Sequence, residues 1–582
     1  MKSEKELTQH SEFKLSDSEN LAWNIVDGET YQTIIRNVFE KVSERISFTF
    51  GPYGNRTTLD AAGSTIMTKD GFNVLKNISY NNPIYNSVVR LLLSACGPVV
   101  TSVGDGSSTC TIGAYHIYKH LSNSEKLKEL RGKDLMEDIE IAVGKIGSRI
   151  LANSTKINED GDLSEIRKIA YVSTDSNDEF ADMIYDIYIK TKNPTIEYVQ
   201  GKSSKTTYEI IDGFLGHGVY LDRLYMTSDD ERCVIQNPYI LTFNYKIDKN
   251  DYMAYIEPAI RKAVNDGRRL VVYSPYYDTL LLESIRKQAN VEYNSRGTTQ
   301  VVYCRVPIAA SEMNDNYRDF SMMCGCEMIT EAMLEDYVDM RTDKEKEEQG
   351  KKELADPIDL IGSVETITIN GEKTVITGFT NRKETMYNIY LDEAKADYDK
   401  TREDNLASGI VTNALFASKK RLARLKGSIG IIKVGGRNIM EKNSNYDAIE
   451  DAVKACESAF MYGYNIGCSL IIPIICNELK KEIDDEYLIE VLDCLSDAMQ
   501  DVYREILIKY FDKDDDEEKI REIISTSITS SLVYDLINKR YSSDIINPCR
   551  TDIEVLTAAT SLSSVLLSSN QYLALMPKEE VY

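Results

Sequence analysis

The stretch Val103-Gly104-Asp105-Gly106-Ser107-Ser108-Thr109 constrains this chain more than any other. Two glycines flank one aspartate, three hydroxyl residues follow, and Cys110 to Leu121 reads as a helix. Glycine permits positive φ and close approach of backbone to a ligand. A helix that starts there offers free N–H groups and the positive end of its dipole to an anion. Asp105 is the hard carboxylate that Mg²⁺ takes beside phosphate oxygens. An ordinary loop with Ser107 as N-cap accounts for the same residues, so the rest of the chain must decide.

The 582 residues suffice for more than one domain. A net charge of −25 argues against nucleic acid as a main partner. Eleven scattered cysteines, an odd number, fit a reducing compartment, and Cys324-Gly325-Cys326 lacks the companions of a zinc set. The polar start has no signal-peptide core, and no apolar run nears the ~20 residues of a membrane span. A cytoplasmic protein without a membrane partner is expected. His116 and His120, four apart, read as two helix-surface histidines.

Helical spacing runs from Thr30 to Ser47 and breaks at Gly51-Pro52-Tyr53-Gly54. Short strands are predicted at Thr57–Asp60 and Ser64–Thr68, before the turn Lys69-Asp70-Gly71. Strands at Tyr239–Phe243 and Leu270–Tyr273, with helices at Tyr252–Asn265 and Asp278–Ala289, predict an α/β module in the middle of the chain. Arg341 to Lys352 is a charged, solvated stretch, and Met386–Arg424 reads as a long polar helical stretch. A helix over Tyr446–Ala459 carries Asp447, Glu450, Asp451 and Glu457, and Phe511 to Lys519 reads as an acidic surface loop. Helix-rich halves thus enclose an inserted α/β segment.

In this order, the motifs resemble those of the group I, GroEL-like chaperonins. Thr49-Phe50-Gly51-Pro52-Tyr53-Gly54 resembles TLGPKG, Thr68-Lys69-Asp70-Gly71 matches TKDG, and Gly104 to Thr109 is close to GDGTTT. Glu450-Asp451-Ala452 with Gly463 and Gly467 resembles EDA…G…GGG. The resemblance implies an α+β multidomain fold. A helical equatorial ATPase domain would occupy 1–152 and 462–582, a small α/β intermediate domain 153–212 and 429–461, and an inserted α/β apical domain 213–428. Gly213 and Gly427 would be hinges.

The resemblance also implies roles. Asp105 would ligate Mg²⁺, and Gly104, Gly106, Ser107, Ser108 and Thr109 would cradle phosphates. Thr49, Gly51, Pro52, Lys69, Gly467, Cys468, Asp535 and Asn547 would complete the nucleotide pocket. Asp70 and Asp451 would position or activate the attacking water. Tyr220, Leu224, Tyr225, Ile260 and Leu282 would offer an apolar face to clients. ATP and Mg²⁺ are the implied cofactors, with K⁺ a further candidate. The implied assembly is a ring, usually of seven subunits, that encloses non-native protein.

Several residues depart from the family. Its three glycines become Gly467-Cys468-Ser469, its ribose-binding acid becomes Asn547, and Tyr534-Asp535 stands for Tyr-Asn. Glu257, Arg286 and Lys287 sit among the apical groove positions, which weighs against dependence on a lid co-chaperonin. The abundance of Ile, Asn, Lys and Tyr resembles chaperonins of large bacteriophages, for which the compartment would be the host cytoplasm. An ATP-driven folding machine and a chaperonin-derived binding or assembly protein are the two functional classes left open. An unrelated P-loop enzyme is not, since GxxxxGK[ST] is absent.

Overall fold

The computed structural model describes residues 23–61, 64–158, 161–174, 176–192, 196–216, 218–227, 232–306, 310–333, 357–369, 374–408, 413–511, 516–569 and 571–575. The fold is α+β. Its helical part joins both ends of the chain. Helix Cys549–Ser568 packs on Pro83–Val103, Ser107–Asn123 and Gly132–Ala152, while Glu486–Leu507 covers Ser107–Asn123 from another side. Leu121, Ile146, Leu495 and Leu556 all lie in the resulting core. Trp23–Asp27 pairs antiparallel with Gln571–Leu575, and Thr57–Ala61 with Ser64–Thr68; each pair is a sheet of two strands.

The middle of the chain forms two larger sheets. One holds Tyr239–Phe243, Leu270–Ser274 and Val301–Arg305 as parallel neighbours. Strands buried on both faces require near-continuous apolar runs, and Leu270 to Ser274 is buried throughout. The other sheet runs through the long strand Thr207–Gly216, whose partner changes midway. Asp212 pairs with Ser428, whereas Gly213 pairs with Thr377. Gly213 therefore lies inside a continuous strand, at the change of partner. Gly427, at φ 80°, makes the turn beside it, and its carbonyl accepts the Gly213 N–H at 2.6 Å.

Two expected helical stretches are refined and three expectations need correction. The helix at Tyr252 runs on through a π-turn over Tyr252–Ile256, between Lys249–Asp251 and Glu257–Asn265. The polar helical stretch holds the helices Glu384–Ser408 and Asn413–Lys426. His116 is not on the surface: it is 6% exposed, and its Nδ1 and His120 Nε2 both face Asp501 Oδ2, at 3.2 and 2.9 Å. Burial alone would raise the Asp501 carboxyl, but the two histidines beside it hold it well below the usual range. The acidic loop is shorter than expected, because Glu517 opens the helix Glu517–Ser530 and pairs with Arg504 and Arg521. Tyr225, expected on the client face, is 1% exposed and belongs to the core. Arg341 to Lys352 and Asp512 to Asp515 lie outside the described residues.

Candidate functional site

A cavity of about 610 Å³ forms where the separated motifs meet. Its floor is the turn between Pro83–Val103 and Ser107–Asn123. Gly104 and Gly106 take φ of 77° and 94°, the region that favours glycine. Space demands glycine too. A Cβ on Gly104 would stand 2.4 Å from Lys454 Cβ, and one on Gly106 would stand 2.8 Å from Val555 Cγ2. Ser107 is the first helical residue, not the N-cap; Gly106 holds that place and brings no side-chain oxygen. The helix therefore begins without a side-chain cap, which leaves its first N–H groups suited to an anion.

Asp70 comes from the turn before Gly71–Asn77. Its carboxylate caps that helix, accepting the Phe72 and Asn73 N–H groups at 2.9 and 3.0 Å. A Cβ on Gly71 would come within 2.1 Å of Ser108 Oγ, so this turn is pressed against the first. Asp105 faces the same cavity and accepts the Gly106 N–H at 2.5 Å.

The third acid arrives on Ile439–Tyr462. Ile449, Ala452, Val453 and Cys456 bury one face of that helix, which turns Asp447 and Asp451 toward the cavity. Burial raises the Asp451 carboxyl well above its ordinary value, and Asp105 and Asp70 add to the rise. Burial, then Asp70 and Glu450, push Asp447 up to about 6. Asp447 belongs to no motif and was given no role from the sequence, although its spacing of four from Asp451 on a helix was the available signal. Arg167, Lys168 and Tyr171 also line the cavity from helix Ser164–Ser173, and Lys168 pairs with Asp544 at 3.0 Å. No motif pointed to those three.

Thr49, Gly51, Pro52 and Lys69 line the cavity as expected, and so do Ser107, Ser108 and Thr109. Cys468, Asp535 and Asn547 do so from the far end of the chain. Asp535 is occupied in its own turn, accepting the Ile537 and Asn538 N–H groups at 2.9 and 3.0 Å. Gly467 stands behind the wall, where a Cβ would meet Ile545 at 2.9 Å. Cys468 and Ser469 keep φ of 58° and 54° without being glycines. Left-handed backbone costs an L-residue roughly 1–2 kcal/mol, so this turn keeps a glycine-like path at the expense of strain.

The donor set fits a hard divalent cation held partly by a ligand. Among the described residues no three His, Cys, Asp or Glu side chains converge into a metal cage. Mg²⁺ commonly takes one or two carboxylates, with phosphate and water completing its octahedron, and Asp105 can serve as such a ligand.

The described residues contain no helix long and apolar enough to cross a membrane. Of the expected apical residues, Tyr220, Leu224 and Ile260 pack partly buried against the core, and Leu282 is half-buried. The most exposed large apolar side chains of this segment are others, Leu280 at 75% and Val291 at 69%. Eleven residues apart on helix Thr279–Arg296, they share one face. Glu257 pairs with Arg261 at 2.7 Å, and Arg286 approaches Asp222 at 4.0 Å.

The chain is similar in fold to the chaperonin gp146 from the bacteriophage EL 2 (Pseudomonas aeruginosa), crystallised in the presence of ATP-BeFx. In one crystal form the TM-score is 0.72 at 17% identity, over 96% of this chain and 100% of that one. In another it is 0.71 at 16%, over 95% and 99%. The model of the TCP-1/cpn60 chaperonin family matches residues 42–466. Motifs, fold and family match agree: the chain belongs to the TCP-1/cpn60 chaperonin family and has a GroEL-like chaperonin fold.

Proposed function

We propose that this chaperonin is an ATP-driven folding machine whose cavity hydrolyses ATP with Mg²⁺. The observation that carries this reading is the meeting of Asp70, Asp105 and Asp451, from three separated segments, in one cavity. The uncapped helix start at Ser107 would take the phosphates, and Asp105 would hold the ion. When bound, Mg²⁺ would neutralise charge on the phosphate oxygens. Phosphoryl transfer needs positioning and charge stabilisation more than covalent help. Asp451, raised by burial and by acidic neighbours, would orient the attacking water and take its proton. Asp70, spent largely on capping, would fix the turn and share in placing the water.

We assign the helical part and the phosphate turn to an equatorial domain (1–152 and 462–582), the segments 153–212 and 429–461, which close the cavity from the other side, to an intermediate domain, and 213–428 to an apical one. Asp451 then lies on the moving part, and closure couples hydrolysis to shape. Among the described residues, the two-stranded sheets Trp23–Asp27/Gln571–Leu575 and Thr57–Ala61/Ser64–Thr68 leave open edges. Isolated pairs are marginal in water, which supports mutual pairing between copies in a ring, proposed as seven-membered. Leu280 and Val291 give the apical helix an apolar face for non-native clients.

The test is recovery of a chemically denatured client with ATP, with a non-hydrolysable analogue and with none. Recovery that requires hydrolysable ATP is the expected result. Client capture with no nucleotide-dependent release would instead favour a binding or assembly protein.

A further inference from the structure

Asp552 stands in the first turn of helix Cys549–Ser568 and is 0% exposed. It does not line the cavity, yet it holds two residues that do. Ser469 Oγ donates to its Oδ1 at 2.8 Å, and Asn547 Nδ2 donates to the same oxygen at 2.9 Å. Its Oδ2 is buried and has no hydrogen-bond partner among the described residues. A buried acid is costly to maintain, so its retention behind the wall calls for a use.

The geometry of the amide supplies one. A carboxamide has its N–H groups on one side and its carbonyl oxygen on the other. With Nδ2 drawn back to Asp552, Asn547 turns Oδ1 toward the cavity. Without that anchor the amide can flip and present N–H instead. Asn547 follows the hairpin Val533–Asp535/Arg540–Ser542 and precedes Thr551 and Val555, which stand against Gly106. It thus lies on the wall that joins the apolar end, with Tyr534 and Ile537, to the phosphate turn. The part of a nucleotide between base and phosphates is its sugar, whose hydroxyls donate hydrogen bonds. Ser469, strained at φ 54°, is tied to the same oxygen, so one carboxyl fixes both sides of this wall.

We propose that Asp552 is a positioning residue for sugar recognition: it orients the Asn547 amide so that its carbonyl oxygen accepts a hydroxyl of the ribose. The proposal rests on the nucleotide-site reading above. A single neutral hydrogen bond is worth about tenfold in affinity.

The test compares binding of ATP, 2′-deoxy-ATP and 3′-deoxy-ATP by calorimetry on the full chain. One deoxy form should bind the wild type about tenfold more weakly than ATP. In Asp552→Ala and in Asn547→Ala that ratio should collapse toward one, while affinity for the deoxy form changes little. Asp552→Asn, whose amide oxygen can still accept both donors, should keep the ratio. Asn547→Ala lies at the cavity wall and reads out the sugar contact even if Asp552→Ala does not fold. A wild type that binds all three nucleotides equally overturns the proposal and leaves the nucleotide site standing. Equal losses for ATP and both deoxy forms in Asp552→Ala would reduce the residue to a structural role and also overturn it. A wild type that binds none of them overturns the site itself.

Discussion

Two regions of the molecule bury acids in opposite ways. In the inserted segment, Asp319 is 0% exposed and fully attended. Arg421 Nε and a terminal nitrogen reach its carboxylate at 3.1 Å, and Tyr390 Oη donates at 2.6 Å. Burial still raises its carboxyl, but Arg421 opposes the rise. In the cavity, Asp447 and Asp451 are raised by burial and then by other acids, and Glu450 beside them spends its charge on Lys454 at 2.8 Å. A buried acid paired with a cation belongs to the structure, whereas acids clustered beside one another have a cost that a cationic ligand complex can repay.

The largest expected effect separates the two on activity. Asp451→Ala should lower steady-state phosphate release by roughly 10³-fold, the scale of a lost catalytic proton acceptor, with nucleotide affinity within a few-fold of wild type. Unchanged turnover would remove Asp451 from the mechanism. Its thermal stability should hold or rise slightly, since like-charge repulsion is relieved.

Asp552 predicts a pH dependence. Burial, opposed by Ser469 and Asn547, raises it to about 7. The native state therefore holds a proton that the unfolded chain has lost between about pH 4 and pH 7. Stability must fall as pH rises through that window, by up to about 4 kcal/mol from this group. Asp552→Asn removes the titration, so its melting temperature relative to wild type should climb from pH 5 to pH 8. A constant difference across that range would place the carboxyl at an ordinary value.

Asp319→Ala should do the reverse of Asp451→Ala. It leaves the largely buried Arg421 charge with Asp315 as its remaining acid, at 3.5 Å, at about 3 kcal/mol by denaturant unfolding, with little change in turnover per folded subunit. A neutral substitution would mean that water compensates Arg421 and that the comparison fails. The smallest effect belongs to the exposed face. Leu280→Ser with Val291→Ser should weaken capture of a denatured client several-fold and leave stability nearly unchanged, as exposed substitutions do. Tyr225→Ser should destabilise the module instead, because its ring is in the core.

The same contrast explains what the sequence made legible. The cavity motifs could be read because a backbone at positive φ beside Lys454 and Val555 demands glycine at positions 104 and 106, and the chemistry demands Asp105. Such requirements leave few alternatives at a position. Asp447 carried no role, and Asp552 none either, because a single acid on a helix looks alike on a solvated face and against a cavity. The client face was harder still. Tyr225, in the three-residue turn Arg223–Tyr225, and Leu280, on a helix, are both large apolar residues, and the sequence pattern does not say which of them a neighbouring element covers. The change of partner at Gly213 was signalled by the glycine, but not the continuity of the strand through it.

The central claim is that the cavity acids await a nucleotide carrying a divalent ion. Titration of ATP into the chain by calorimetry, with Mg²⁺ and again with EDTA, tests it most directly, using wild type and Asp105→Ala. Saturable binding with Mg²⁺, at least tenfold weaker in EDTA and in Asp105→Ala, is the predicted result. Binding that is equally tight without Mg²⁺ and indifferent to Asp105, or no binding at all, would contradict the account.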